Sequence, residues 1–577
     1  MASIESGNFG RALRVIDDVW QQLADTLYVQ TKLGKPVDRL ADLSEAAAAR
    51  RSAFGRALLA RIDKVDSGGL PFDVATTLEV ARRRAAMWAR EEDYYWLVFD
   101  PPGVGFFGLF APTAYCGGFL LNTLSSIFRN FAFETPGDLD RYLGLVADYA
   151  RLVDQLRTRT SGQAERGIRM PQVQLDQAIP LMTRLKQAAG ATLAVDPARL
   201  AALGEKAASE LIASRIASEV EPAFDALIAD LEHPDYRAAA PEAVGMSQYP
   251  GGAEVYAELI HLHTTVDLTA SEVHQAGLDR MAAVRADMRN LLDKVGFAGS
   301  PADYFGKIEA DPAWRAQGEE AIGAVFRRYI DRIAPHIDRN FAFKPAAPHD
   351  VAPLPQALTA SMTFGYYDSP SPNDPTGRYL FNAENLSNGG LASVAALNYH
   401  ELVPGHHFHL ASQQENEGLH PLRQHSFFNA FNEGWAEYAA TLAGEIGMYE
   451  QPEERFGRHM NDAFLTCRLV IDTGMNALGW SLEQARDYMR ENGFMPETEI
   501  RSETIRYSCD IPAQSLAYKL GDTYLIDTRE KMRNRLGSGF DIRDFHDAVL
   551  KPGGLPLPLV AANVAAETER LAGTSSR

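Results

Sequence analysis

Apolar residues recur at three- and four-residue spacing along most of this chain, the mark of helices with one buried stripe. The clearest case is 139–156, where Leu139, Tyr142, Leu143, Val146, Tyr149, Leu152, Val153 and Leu156 share a face. Its start is signalled as well: Thr135 can cap, Pro136 suits a first turn, and Asp138 stands where a capping box wants an acid. The same spacing predicts helices over 8–33, 38–65, 73–92, 174–189, 197–231, 253–265, 270–295, 318–338 and 481–492. The pattern changes at 357–382. ALTASMTFGYYDS and GRYLFNA are rich in aromatic and β-favouring residues, and the turn formers PSPNDPT lie between them, which predicts a small antiparallel hairpin. The Pro/Gly-rich stretch 233–252 is either a boundary or a long internal loop between an amino-terminal helical half, 1–240, and a carboxy-terminal half, 241–577, of one continuous unit. The fold class expected is mainly α, with little β structure.

Composition adds exclusions. The 577 residues hold 76 acidic and 56 basic side chains, a net charge of −20, so the chain lacks the basic footprint of a nucleic-acid binder. Arg82, Arg83 and Arg84 form one tight basic run, but Glu79 and Glu91-Glu92-Asp93 flank it and it reads as a helix face. Three cysteines, Cys116, Cys467 and Cys509, are too few for a disulfide framework or a cysteine metal site. The amino terminus shows no basic start followed by an apolar run, so the expected location is cytoplasmic; a leader removed beforehand would make it periplasmic. The uncharged stretch 101–128 is long enough to span a bilayer, yet glycines and prolines break it into short pieces. It is expected to be a buried loop that lines a cavity, and no membrane contact is expected. Oligomeric state, monomer or homodimer, is left open.

The histidines carry the chemistry. The chain has 14, and six of them, His400, His406, His407, His409, His420 and His425, fall within 400–425. Neutral imidazole is the commonest protein metal ligand. His400-Glu401 starts like the H-E-x-x-H pattern, in which two histidines share a helix face, but Pro404 occupies the fourth position. In a regular helix, residues six apart are about 9 Å apart along the axis and could not share an ion. Pro404-Gly405 permits a distorted turn that would swing His406 back toward His400, so His406 is favoured over His407 as ligand. Downstream, Glu433 and Glu437 are four apart on one side of a probable helix over 427–445. Glu433 fits as a third ligand, Glu437 as the acid that holds a ligand imidazole by its far nitrogen, and Glu401 as the base beside the metal. Gly434 would let that helix approach a neighbour closely.

H-E-L-V-P-G-H-H followed by E-G-W-A-E-Y resembles the bacterial family catalogued as domain of unknown function 885, whose members are predicted zinc metallopeptidases. YPGGAEVYAELIHLHTTVDLTASEVHQAGL (249–278) and RYSCDIPAQSLAYKLG (506–521) resemble its central and carboxy-terminal signatures, and the similarity covers about 10–565. The resemblance implies a multi-helix, zincin-like metallopeptidase fold with a deep cleft, 1–240 forming one wall and 241–577 carrying the site. It implies one Zn2+ on His400, His406 and Glu433, with Glu401 as base and with Glu437 and His407 behind the ligands. An extended substrate would lie along an edge strand, for which the 357–382 hairpin is the candidate.

The chain departs from the family pattern where Pro512-Ala513-Gln514 replaces Pro-Gly-Gln, so a different local loop is expected there. Tyr507 is expected to donate to the oxyanion, Arg506 and Lys519 to bind a substrate carboxylate, and Tyr366, Tyr367 and Asn382 to line the pocket. The expected function is a zinc-dependent hydrolase of amide bonds in small peptides. The alternatives are the same chemistry on a non-peptide amide or ester, and a peptide-binding protein with a vestigial metal site.

Overall fold

Helix starts follow the capping chemistry written in the sequence. In the computed structural model, which describes residues 7–100, 107–135, 137–203, 205–359, 365–372, 374–388 and 390–575, helix α1 runs from Gly137 to Glu165. Asp138 accepts from the Thr135 amide at 2.7 Å and the Thr135 hydroxyl at 3.0 Å. Pro136 lies outside the described residues. Helix α2, Ala270–Lys294, opens on a full capping box between Thr269 and Glu272. The amphipathic stretches do form helices, with two informative breaks. The 8–33 stretch divides into Asn8–Ala24 and Leu27–Lys32, where Thr26 turns its hydroxyl onto the Leu23 carbonyl. The 197–231 stretch divides into a tight turn, Glu205–Arg215, a wide turn at Ile216–Val220, and Glu221–Glu232. Pro222 cannot donate to the preceding turn, which loosens it.

By packing, the chain forms two compact units. The first comprises 1–256 and 505–512, the second 257–504 and 513–577. The boundary thus falls past the 233–252 loop, and a short carboxy-terminal segment returns to the first unit. In that unit, the first part of the uncharged stretch, described from Phe107, packs on this returning segment, while the rest is helix and not the expected loop, a wide turn at Ala114–Gly118 leading into Phe119–Asn130. The Leu109 amide donates to the Asp510 carbonyl at 3.1 Å, the Tyr115 amide to the Asp510 carboxylate at 3.2 Å, and the Thr113 hydroxyl bonds the same carboxylate. Gly108 is required, because a β-carbon there would strike Cys116 Sγ and the Asp510 carbonyl. Residues 101–106 of the stretch lie outside the described residues. No helix among the described residues is long and apolar enough to cross a membrane.

The second unit holds the sheet and the long helices. Strands β1 (His349–Pro353), β2 (Gly365–Asp368) and β3 (Gly377–Phe381) form a three-stranded sheet in the order β1-β3-β2. β2 and β3 are the antiparallel pair expected of 357–382, with Tyr367 opposite Tyr379. β1, which lies parallel to β3 with Val351 opposite Tyr379, is an addition to that hairpin. Residues 360–364 lie outside the described residues. Helices α3 (Val394–Glu401), α4 (His406–Glu415), α5 (Asn429–Glu445), α6 (Pro452–Ala477) and α7 (Ala517–Leu536) complete the frame of the site. α5 and α7 cross where Gly434 meets Gly521; a β-carbon on either would strike the other backbone.

Candidate metal centre

α3 ends at Glu401, and residues 402–405 leave helical geometry: Leu402 has φ −109° and ψ −111°, Gly405 φ −80° and ψ −126°. A β-carbon on Gly405 would collide with the carbonyl oxygens of Tyr399 and His400, so the turn needs glycine. Trp435 clamps it from α5, donating from Nε1 to the Pro404 carbonyl at 2.9 Å. α4 then begins at His406, with its ring centroid 4.8 Å from that of His400. This is the return that a regular helix would forbid at six-residue spacing.

α5 brings Glu433 to the same point. Its Oε2 lies 3.6 Å from His400 Nε2 and 3.3 Å from His406 Nε2, and one ligand atom from each residue falls within 4.8 Å of the others. The hydrogen bonds behind the rings decide what those atoms are. His400 Nδ1 sits 2.8 Å from Glu437 Oε1, and a carboxylate only accepts, so Nδ1 carries a proton and, in the neutral ring, Nε2 is left with the lone pair. His406 Nδ1 meets His409 Nε2 at 3.3 Å; burial first, and then the neighbouring imidazoles, keep His409 neutral, and where its Nε2 accepts, His406 Nε2 is left with the lone pair. With both rings neutral and in those tautomers, three acceptors converge in a buried place, an arrangement that costs free energy unless a cation sits among them. Where no ion sits there, a proton on His400 answers the same requirement. Burial opposes a charge on His400, yet hydrogen bonds to Glu433 and Glu437 push its pKa up to about 10. Burial pushes Glu433 up, and the two imidazoles overcome it and hold the carboxyl well below its usual range. Glu401 is buried beside the ligands and raised, mainly by that burial.

Glu437 is anchored differently. Its Oε2 takes 2.9 Å from Arg458 Nη1 and 3.6 Å from Lys519 Nζ. Lys519, fully buried, also pairs with Asp522 and, at 3.2 Å, with Asp462; Arg280 closes the cluster at 3.0 Å from Asp462 and 3.5 Å from Asp522. The Gly434–Gly521 crossing is what brings α7 near enough for Lys519 to reach α5. Lys519, expected on the substrate, is thus committed to holding Glu437. The other expected residues divide in the same manner. His407 points away from His406: its Nε2 donates to the Ala347 carbonyl at 3.1 Å, so its Nδ1 accepts from the Tyr367 hydroxyl at 2.9 Å, and burial drives its pKa down to about 3. Asn382 is buried and starts the short helix Ala383–Asn388, accepting from the amides of Glu384 and Asn385. Tyr366 alternates with Tyr367 along β2 and so takes the opposite face. Tyr507 and Arg506 belong to the first unit; Tyr507 is fully buried and Arg506 lies over the Tyr115 ring at 4.6 Å. Ala513 keeps a left-handed backbone at φ +66° despite the loss of glycine, with its amide held by both Asp472 oxygens at 3.1 Å. The loop change expected from that substitution is therefore absent from the backbone at this residue.

Four participants were given no role from the sequence: His409, Arg458 and Asp462 behind the ligands, and Tyr518, whose ring lies at 12° to that of His400 with centroids 6.1 Å apart. His409 carried a signal, since it lies in the histidine cluster three residues from His406. Tyr518 lies beside Lys519 within the 506–521 signature, whereas Arg458 and Asp462 are distant in sequence and carry none.

The family described as a bacterial protein of unknown function, DUF885, matches residues 28–564. A comparison with curated proteins returns no match. Among solved structures the chain is similar to a "putative lipoprotein" from Colwellia psychrerythraea, at TM-score 0.85 and 22% identity over 98% of this chain and 99% of that one. It is also similar to a "putative lipoprotein of unknown function" from Shewanella oneidensis, at TM-score 0.71 and 18% identity over 96% and 99% of the two chains. At such identities the likeness concerns the fold.

Proposed function

We propose that this chain, which belongs to the DUF885 family of bacterial proteins, is a zinc-dependent hydrolase that cleaves amide bonds of small peptides. The observation that carries the reading is the convergence of His400 Nε2, His406 Nε2 and Glu433 Oε2, with Glu401 beside them. Among the described residues, Glu433 and Glu401 have no lysine or arginine within ion-pair distance, whereas the carboxylates next to them do. Two buried acids without a base suit a divalent cation, and two imidazoles with one carboxylate suit zinc. When bound, such an ion supplies Lewis acidity and an activated water. The protein's own groups do the rest. Glu437 fixes the His400 tautomer and orientation through Nδ1, and His409 does the same for His406. Glu401, one residue from a ligand and free of a competing partner, accepts the water's proton at its carboxylate and passes it to the leaving nitrogen.

β2 is an edge strand, and its Tyr367 hydroxyl is bonded to His407, the neighbour of His406. An extended peptide added along that edge would have main-chain partners close to the ligands, which favours peptides over other amides or esters. The reading places the chain among zincin-like metallopeptidases with a deep substrate cleft. The lipoprotein descriptions of the two solved structures favour a periplasmic place over a cytoplasmic one, which cell fractionation would check. The test of function is metal analysis together with a peptide-library digest. Wild type is expected to hold one zinc per chain and to cleave. Glu401→Gln is expected to keep the zinc and lose roughly 10²–10⁴-fold in turnover. Wild-type activity in Glu401→Gln would overturn the mechanism, and a zinc-loaded wild type that binds peptides without cleaving them would make it a binding protein.

A further inference from the structure

From Ala513 to Lys519 every residue is buried except Tyr518, which opens α7 beside fully buried Lys519. The Tyr518 ring lies nearly parallel to the His400 ring, at 12° and 6.1 Å between centroids. Its other neighbour is Arg468 of α6, whose guanidinium carbon stands 4.6 Å from the Tyr518 ring centroid. Arg468 is itself fully buried and anchored by Glu503 at 3.1 Å. The same guanidinium interacts electrostatically with the Tyr518 phenol. Arginine donates and cannot accept, so the phenol cannot give its single proton to this neighbour and keeps it for another acceptor. A phenol beside a fixed cation is also the stronger donor.

We infer that Tyr518 is a catalytic residue that donates its phenolic hydrogen bond to the oxyanion formed when the amide carbonyl becomes tetrahedral, with Arg468 as its positioning residue. The role passes from Tyr507, which is fully buried in the first unit, to a partly exposed tyrosine stacked on a metal ligand in the second. No proton changes owner: the phenol shares its hydrogen while the carbonyl oxygen carries charge, and recovers it when the carbon–nitrogen bond breaks. The inference rests on the hydrolase reading above.

Tyr518→Phe removes the hydroxyl and keeps the ring against His400. On a peptide that wild type cleaves, it is expected to lower kcat about 10²-fold and to change KM by less than about threefold, with zinc content and thermal midpoint unchanged. A phosphinic peptide imitates the tetrahedral oxygen, and by calorimetry it is expected to bind the zinc-loaded variant about 10²-fold more weakly than wild type. Arg468→Lys is expected to lower kcat in wild type and to add nothing in the Tyr518→Phe background, a coupling that a merely structural role would not produce. If wild type cleaves, Glu401→Gln does not, and Tyr518→Phe matches wild type in kcat and in phosphinic-peptide affinity, the assignment of Tyr518 is wrong and the hydrolase reading stands. If zinc-loaded wild type cleaves nothing, the reading fails and this inference falls with it.

Discussion

Two buried polar regions lie side by side in the second unit, and they are built on opposite principles. Around Lys519, three acids (Glu437, Asp462, Asp522) meet three bases (Arg458, Lys519, Arg280), and the cluster is neutral by itself. Around His400, two acids meet two imidazoles, and among the described residues no lysine or arginine completes the set. Burial penalises both regions. The first offsets the penalty with its own charges and is architecture. The second leaves its charge requirement to a ligand. Glu437 joins the two, because one oxygen holds His400 and the other holds Arg458.

The largest effect should come from removing the charge that asks for a cation. Glu433→Ala is expected to abolish stoichiometric zinc, measured after dialysis against trace metal. It should also abolish the rise in thermal midpoint that added zinc gives wild type, since a ligand stabilises only the form that binds it. If Glu433→Ala kept one tightly held zinc, the ion would belong elsewhere and the contrast between the two regions would collapse.

Breaking the self-compensated cluster should act on stability first. Arg458→Met strands a buried carboxylate and is expected to cost about 3–5 kcal/mol in urea unfolding. Adding Glu437→Met should recover much of that loss, while leaving metal affinity lower by roughly 10–100-fold because His400 loses its orienting partner. A cost near zero for Arg458→Met would mean that the cluster is solvated and not architectural.

The smallest effect concerns a third kind of buried carboxyl. Asp510, in the first unit, bonds the Thr113 hydroxyl and the Tyr115 amide, and burial above all pushes its pKa up to about 6 against these donors and the Arg506 charge. The folded chain therefore binds this proton more tightly than the unfolded chain. Stability contributed by the group is complete below about pH 4 and is lost as pH rises through about 6, amounting to roughly 3 kcal/mol. Denaturation of wild type and Asp510→Asn at pH 5 and pH 7.5 checks this: the difference between the two proteins should shift in favour of the variant at the higher pH. An unchanged difference would place Asp510 with the compensated acids.

Much of this was legible in residue order. Stripes such as 139–156 and 270–295 fold as helices because one-sided burial imposes the 3.6-residue period. α6 was not legible, since every residue from Ala463 to Asn476 is buried and an all-round interior helix has no stripe. β1 was missed for a related reason: HDVAP is short, contains proline and becomes a strand only through its parallel partner. The ligands His400, His406 and Glu433 could be picked from local spacing, because Pro404-Gly405 announces a broken turn and Glu433 lies four residues from Glu437. Lys519 was misplaced and Tyr518 passed over. Adjacent on one helix, they differ in what tertiary packing sets against them.

By itself, then, the sequence determined a helical protein with a clustered histidine and glutamate chemistry, since periodicity and motif spacing are local properties. Tertiary structure alone decided which charges are answered within the protein and which are left over. Compensation depends on distances between residues far apart in the chain, such as Glu437 and Lys519 across the Gly434–Gly521 contact. Those distances exist only once the helices have packed.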